Sequence, residues 1–297
     1  MPGRGLAAVL GGAVALATSS ALAAAPTDWG INLQPAASPV AEEMLRFHNN
    51  LLLPIITGIT LFVMALLLFV MIRFNRRRNP TSSRTTHNVA IEVVWTVVPV
   101  LILVLIAIPS FRLLYFADRL PADDVDLTIK AIGNQWFWTY EYPDQNFQFD
   151  AYMIDDDDLE PGQPRLLATD NAVVLPVETN IRILLTANDV LHAWAVPALG
   201  VKKDTVPGRL NETWFRINEE YEGETLYGQC SELCGVLHAY MPIEVRAVSR
   251  EDFDAWVEEA QQQFSTIVDE PPPEETAGQE AGTSPRLAEA GTRDAAR

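Results

Sequence analysis

The chain has 297 residues, 48% of them hydrophobic, and a formal net charge of −18. So acidic a balance argues against nucleic acid as a partner and favours a basic one. The apolar residues are too unevenly distributed for a single globular unit.

Residues 1–25 carry Arg4, an apolar stretch from Leu6 to about Ala17 and the small residues of "ALAAA". That make-up reads as an export signal cleaved near Ala23 or Ala25, its core too short and alanine-rich to span a bilayer well. Residues 26–120 are expected to hold a short N-terminal segment and two transmembrane helices, about 51–72 and 91–113. Leu51 to Ile72 has no charge over 22 residues and Val93 to Phe111 none over 19, against about 20 needed to cross. The connecting segment 73–91 carries Arg73, Arg76, Arg77, Arg78 and Arg84 with no acid. The positive-inside bias places that hairpin tip in the cytoplasm, and with it the N-terminus and everything from Arg112 onward outside. Glu92 sits one residue before the second apolar run. An ionisable group at a helix margin is either an ordinary interfacial carboxylate or part of a proton route.

Residues 121–265 change to short alternating stretches separated by Pro, Gly, Asn and Asp. "VDLTIKA" (125–131), "QWFWTYEY" (135–142), "NIRILLTAN" (180–188), "ETWFRI" (212–217) and "IEVRAV" (243–248) read as strands of a sandwich or small barrel. Ser249 and Asp252 form a capping box ahead of Phe253, Trp256, Val257, Ala260 and Phe264 at helical spacing, which predicts a closing helix. Residues 266–297, acidic and rich in Pro, Ala and Gly, offer too few large apolar groups to offset ordering entropy and are expected to be disordered.

Chemistry concentrates in "GQCSELCGVLHAYMP" (228–242). Cys230 and Cys234 are four apart, His238 four further on and Met241 three beyond. His192 stands 38 residues upstream of Cys230, in "DVLHAWAVP". Exported thiols would by default form a disulfide, but that leaves the two histidines and Met241 without a role. A zinc site would not choose a methionine. Soft thiolate and thioether donors with imidazoles suit copper. Two thiolates with an imidazole on either side can bridge two coppers. Glu232, between the thiols, can offer its carbonyl to that site and its carboxylate to a hard cation such as Mg²⁺. There is no nucleophile beside a base, no phosphate loop and no C-x-x-C-H for attached haem.

These residues, with "VLHAWAVP", "GNQWFWTYEY" (133–142) and the preceding hairpin, resemble subunit II of the haem–copper cytochrome c oxidases, bacterial aa3-like type, over about Glu42 to Phe264. The resemblance implies an all-β, cupredoxin-like Greek-key barrel behind a two-helix transmembrane hairpin in a bacterial inner membrane, the barrel in the periplasm. It implies a dinuclear copper A centre: Cys230 and Cys234 bridging, His192 and His238 terminal, Met241 a weak axial ligand and the Glu232 carbonyl a ligand to the other copper. It assigns the Glu232 carboxylate to Mg²⁺ shared with subunit I, Trp136 to electron entry from cytochrome c, and Glu92 to the mouth of a proton-uptake path.

The implied function is to accept electrons from reduced cytochrome c and pass them to haem in subunit I, where oxygen reduction is coupled to proton pumping. The partners are subunits I and III, a basic cytochrome c and the lipid bilayer. Asp170 and Asp189, with Asp155 to Asp158, are candidates for docking that cytochrome. Taken alone, Trp136, Trp138 and Tyr140 at period two would be core or interface. The alternative function is a membrane-tethered copper carrier for oxidase assembly, which would need neither Trp136 nor two spanning helices. A quinol-oxidase subunit would lack the copper ligands, and a nitrous-oxide reductase the hairpin.

Overall fold

A computed structural model describes residues 24–27, 29–120, 125–264 and 266. The expected export signal, save Ala24 and Ala25, and the expected tail beyond residue 266 lie outside the described residues.

Helix α1, Pro39–Phe47, starts at Ser38, whose Oγ accepts from the Ala41 N–H at 3.1 Å and donates to the Leu199 carbonyl at 2.7 Å. The cap therefore also pins the helix start to the β domain. A π-helical turn, His48–Leu52, leads into α2, Leu53–Arg73. The first helical stretch thus begins well before Leu51, because α1 is amphipathic and buries Val40 and Ala41 instead of running apolar all round. Helix α3 spans Val89–Asp118, with Asn88 as its cap. It runs past the expected 113 because the β domain catches its end. The Trp214 indole donates to the Phe116 carbonyl at 3.1 Å, the Thr213 hydroxyl to the Ala117 carbonyl at 3.3 Å, and Lys203 pairs with Asp118 at 2.7 Å. At 21 and 30 residues, with no buried side chain, α2 and α3 are the two helices among the described residues long and apolar enough to cross a membrane.

The β domain has ten strands: β1 Leu127–Asn134, β2 Phe137–Tyr142, β3 Phe147–Ala151, β4 Val173–Pro176, β5 Ile181–Ala187, β6 His192–Val196, β7 Val201–Thr205, β8 Asn211–Phe215, β9 Thr225–Cys230 and β10 Pro242–Val248. They form two five-stranded sheets, β3-β2-β1-β5-β8 and β4-β10-β9-β6-β7. Alternation places Ile181, Ile183 and Leu185 of β5 inward, and Trp138, Tyr140 and Tyr142 of β2 meet Trp194, Leu226 and Val245 of the facing sheet. Helix α4, Arg250–Gln263, begins where the Ser249 Oγ accepts from the Asp252 N–H at 3.0 Å. It lays Phe253, Trp256 and the following Phe264 on Tyr142, Phe147 and Phe149.

Five of the strands, β3, β4, β6, β7 and β9, are additional to those read from sequence. One consequence decides the site. Strands β1 and β5 are parallel, from Leu127↔Ile181 to Gly133↔Ala187, so both end at the same edge of the sandwich. There they meet the starts of β2, β6 and β10 and the end of β9.

Candidate metal centre

The strand register aims the donors. Trp194 of β6 pairs with Cys230 of β9, and His192 lies two residues before Trp194, so all three point into the sandwich. His192 is completely buried, and Cys230 and Cys234 are only 4% and 3% exposed. Gly133 makes room. A Cβ there would stand 2.7 Å from His192 Cδ2 and 2.8 Å from its Cγ, so a larger residue would have to displace the imidazole. Trp138 braces the same ring edge-on, centroids 6.0 Å apart, and its indole donates to the Met241 carbonyl at 3.3 Å.

Beyond Cys230 the chain loops outward and returns to β10. Gly235 turns it with φ 120°, in the left-handed region that favours glycine. The two sulfurs are 3.9 Å apart and unbonded; a disulfide would need about 2 Å. Cys230 Sγ lies 3.9 Å from His192 Nδ1 and 3.4 Å from the Glu232 carbonyl. Cys234 Sγ lies 3.5 Å from His238 Nδ1 and 3.5 Å from Met241 Sδ. Each sulfur thus faces its own imidazole and its own weak donor. Two soft sulfurs, two imidazoles, a thioether and a carbonyl oxygen, with His192, both thiols and Met241 buried and His238 partly exposed, fit copper.

The thiols differ electrostatically. Burial pushes Cys230 up, but hydrogen bonds with His192 and with the backbone of Glu232 and Ala193 outweigh it and hold the thiol down to about 7. Burial and then the neighbouring Cys230 charge push Cys234 up to about 12. One thiol ionises readily and the second resists, so a bound cation is what would hold both as thiolates.

Trp136 lies in the turn before β2, partly exposed, and its indole N–H donates to the Cys234 carbonyl at 3.2 Å. Asp189 is not simply a surface acid. Its Oδ1 lies 2.9 Å from His192 Nε2, and burial, which would raise its pKa, is outweighed by hydrogen bonds from His192, Val190 and Gln135 that lower it. Asp170 is exposed and accepts from the Tyr152 N–H at 2.7 Å. Asp155 to Asp158 are exposed, Asp156 paired with Arg165 at 2.7 Å. Glu232 is half-buried and its carboxylate has no hydrogen bond among the described residues. Glu92 lies far from this cluster in the chain, at the first turn of α3, where its Oε1 accepts from the Asn88 N–H at 3.0 Å. Sequence reasoning missed Gly133 and Gln135. It placed Gln135 and Trp136 in a strand over 135–142, whereas the chain turns at these two residues and β2 begins only at Phe137.

The chain matches the family model "Cytochrome C oxidase subunit II, periplasmic domain" over residues 127–248 and "Cytochrome C oxidase subunit II, transmembrane domain" over residues 26–113. It is 51% identical over 243 residues to a probable cytochrome c oxidase subunit 2 of Rickettsia felis, covering 82% of this chain and 75% of that one. Cytochrome c oxidase subunit 2 of the plant Oenothera berteroana is 47% identical over 243 residues, 80% of this chain and 92% of that one. Among solved structures, the periplasmic domain of subunit II of cytochrome oxidase of Bradyrhizobium japonicum is 52% identical, with a TM-score of 0.44, covering 48% of this chain and 98% of that one. The β domain thus carries a copper-type donor set behind a membrane anchor, in a chain that associates with other oxidase subunits. It belongs to the cytochrome c oxidase subunit II family and is one subunit of a haem–copper terminal oxidase, an oxidoreductase complex.

Proposed function

We propose that the β domain is the electron-entry module of its oxidase, holding two coppers between Cys230 and Cys234. The observation that carries this is the pair of buried, unbonded sulfurs 3.9 Å apart, each facing a different imidazole Nδ1. His192 and His238 would be terminal ligands, Met241 and the Glu232 carbonyl weak ligands on opposite sides. When bound, copper held by these residues would supply one-electron transfer.

The protein's own contribution is rigidity and routing. Burial excludes water from the sulfurs, and β6, β9 and β10 fix three of the donors, His192, Cys230 and Met241, on or beside strand ends. Trp136 is the entry point for an electron from reduced cytochrome c, its indole bonded directly to the backbone of Cys234. Asp170 and Asp155 to Asp158 attract a basic cytochrome, in a salt-dependent way.

The way out lies on the loop. Leu233 and Val236 are 77% and 84% exposed beside Glu232, an apolar face suited to a packed subunit contact. Subunit I docks there, takes the electron to its haem and shares Mg²⁺ with the Glu232 carboxylate, while subunit III completes the complex. The arginines between α2 and α3 support a cytoplasmic position for that loop, and with it a periplasmic β domain on a bacterial inner membrane. Glu92 then lies at the cytoplasmic margin, in a position to take up protons for subunit I.

Electron entry tests this in the assembled oxidase. Trp136→Phe keeps the ring but loses the N–H bond, and should slow electron transfer from reduced cytochrome c at least tenfold with the copper spectrum retained. Unchanged kinetics would remove Trp136 from the route.

A further inference from the structure

Helices α1 and α3 turn matching stripes towards each other. On α1 the stripe is Pro39, Glu42, Glu43 and Arg46, at i, i+3, i+4 and i+7. On α3 it is Pro109, Arg112, Leu113 and Phe116, at the same spacing. Between them lies a groove of about 490 Å³, inside the range of about 300–1,000 Å³ usual for small-ligand sites. Two carboxylates and two guanidinium groups line it, and the prolines, Leu113 and Phe116 give it an apolar wall. None of the candidate metal donors lines it.

The β domain fixes both walls. Asn218 donates from its side chain to Glu42 Oε1 at 2.7 Å and from its backbone to the Ala37 carbonyl at 3.0 Å. The Phe116 ring meets Trp214 edge-on, centroids 5.6 Å apart, and the Phe116 carbonyl accepts from that indole. Hydropathy gives the groove its depth in the bilayer. Arg112 is the first charge after the uncharged run Val93 to Phe111, and Arg46 stands five residues before the run that starts at Leu51, about 7.5 Å along a helix. The interfacial layer of a bilayer is about 5–7 Å deep on each side. The four charged groups therefore stand at headgroup level on the β-domain side, with Pro109 one turn deeper, at the start of the acyl chains.

We propose that this groove binds one zwitterionic phospholipid whose headgroup carries a phosphate and a primary ammonium. The lining decides the headgroup. It is balanced, two positive groups against two negative, although the chain as a whole is at −18. An anionic headgroup would face the two carboxylates uncompensated, and a cationic one the two guanidinium groups; a zwitterion satisfies both signs. Arg112 is exposed, and its guanidinium has no hydrogen bond or ion pair among the described residues, so its fork is open to a phosphate. Arg46, already paired with Glu43, flanks that phosphate. Glu43 and the second oxygen of Glu42 accept from the ammonium, while Pro109, Leu113 and Phe116 cover the glycerol and the first methylenes. The site stands whether or not the copper reading does.

The test uses the assembled oxidase, freed of native lipid in detergent. It is exposed to phosphatidylethanolamine or phosphatidylglycerol bearing the same photoreactive acyl chain, and adducts on this chain are mapped by peptide mass spectrometry. Wild type should be labelled within residues 39–46 or 109–116 at least tenfold more by phosphatidylethanolamine than by phosphatidylglycerol. Arg112→Gln should lower the phosphatidylethanolamine adduct at least fivefold. Glu43→Gln removes one acceptor and releases Arg46, so the preference over phosphatidylglycerol should fall to about one. The wild-type preference decides the matter by itself if either variant does not assemble. Equal labelling by the two lipids, or variants that label like wild type, would overturn the proposal. Absence of adducts in these two segments would also overturn it, and would give the groove to another subunit of the oxidase. Competition by soluble glycerophosphoethanolamine as strong as by the unlabelled lipid would make the ligand a free phosphoamine, which contradicts a lipid site.

Discussion

Gly133 shows how narrow the tolerances at this centre are, because the space a methyl group would need there is already taken by the His192 ring. Gly133→Ala should push the imidazole away from Cys230 and cost about 1–3 kcal/mol by overpacking. The expected outcome is a lower copper content and a lower melting temperature together; an unaltered site would mean that the ring has room the contact distances deny. The candidate donors of the metal loop were legible because two thiols, an imidazole and a thioether fall within twelve residues, Cys230 to Met241. Gln135 was not, because its meaning lies in a carbonyl 99 residues away. Asp189 was read only as a candidate docking acid, because its partners depend on how the β1–β2 turn folds over it.

Strand ends of the β domain hold His192 and Cys230 and flank Met241, and the strands that were hard to read explain themselves. Strand β6, "HAWAV", is buried at all five positions, so alternation gives no signal. Strand β7, "VKKDT", is mostly polar, and β4 has only four residues. The α4 cap, by contrast, was readable. Ser249→Ala should remove the α4 cap and lower stability by about 1 kcal/mol, seen as a modest fall in melting temperature with the copper signal intact. A changed copper signal would show that α4 reaches the metal loop, which its packing on Tyr142 and Phe147 does not predict. At α3 the cap and the proposed proton route share one side chain. Glu92→Gln keeps an acceptor for the Asn88 N–H but cannot ionise. The helix and the complex should therefore persist while turnover and proton uptake fall several-fold, and undiminished turnover would leave Glu92 as a cap alone.

For the whole molecule, hydropathy and charge already separated a membrane anchor from an acidic β domain. What sequence could not show was the grip between them, where Trp214, Thr213 and Lys203 take hold of the last residues of α3. Those partners are far apart in the chain, and none belongs to a recognisable motif. The same assembly leaves Leu233 and Val236 exposed on the candidate metal loop. Val236→Asp should reduce co-purification of the haem-bearing subunit while the chain keeps its copper, since this side chain points away from the sulfurs; intact assembly would move the contact elsewhere. The central claim is met most directly by counting the metal on this chain in the purified oxidase and recording its paramagnetic resonance in the oxidised state. Two coppers per chain, with one unpaired electron spread over both nuclei, is the predicted result; a single exchangeable copper, or sulfurs joined as a disulfide with no metal taken up after reduction, would contradict it.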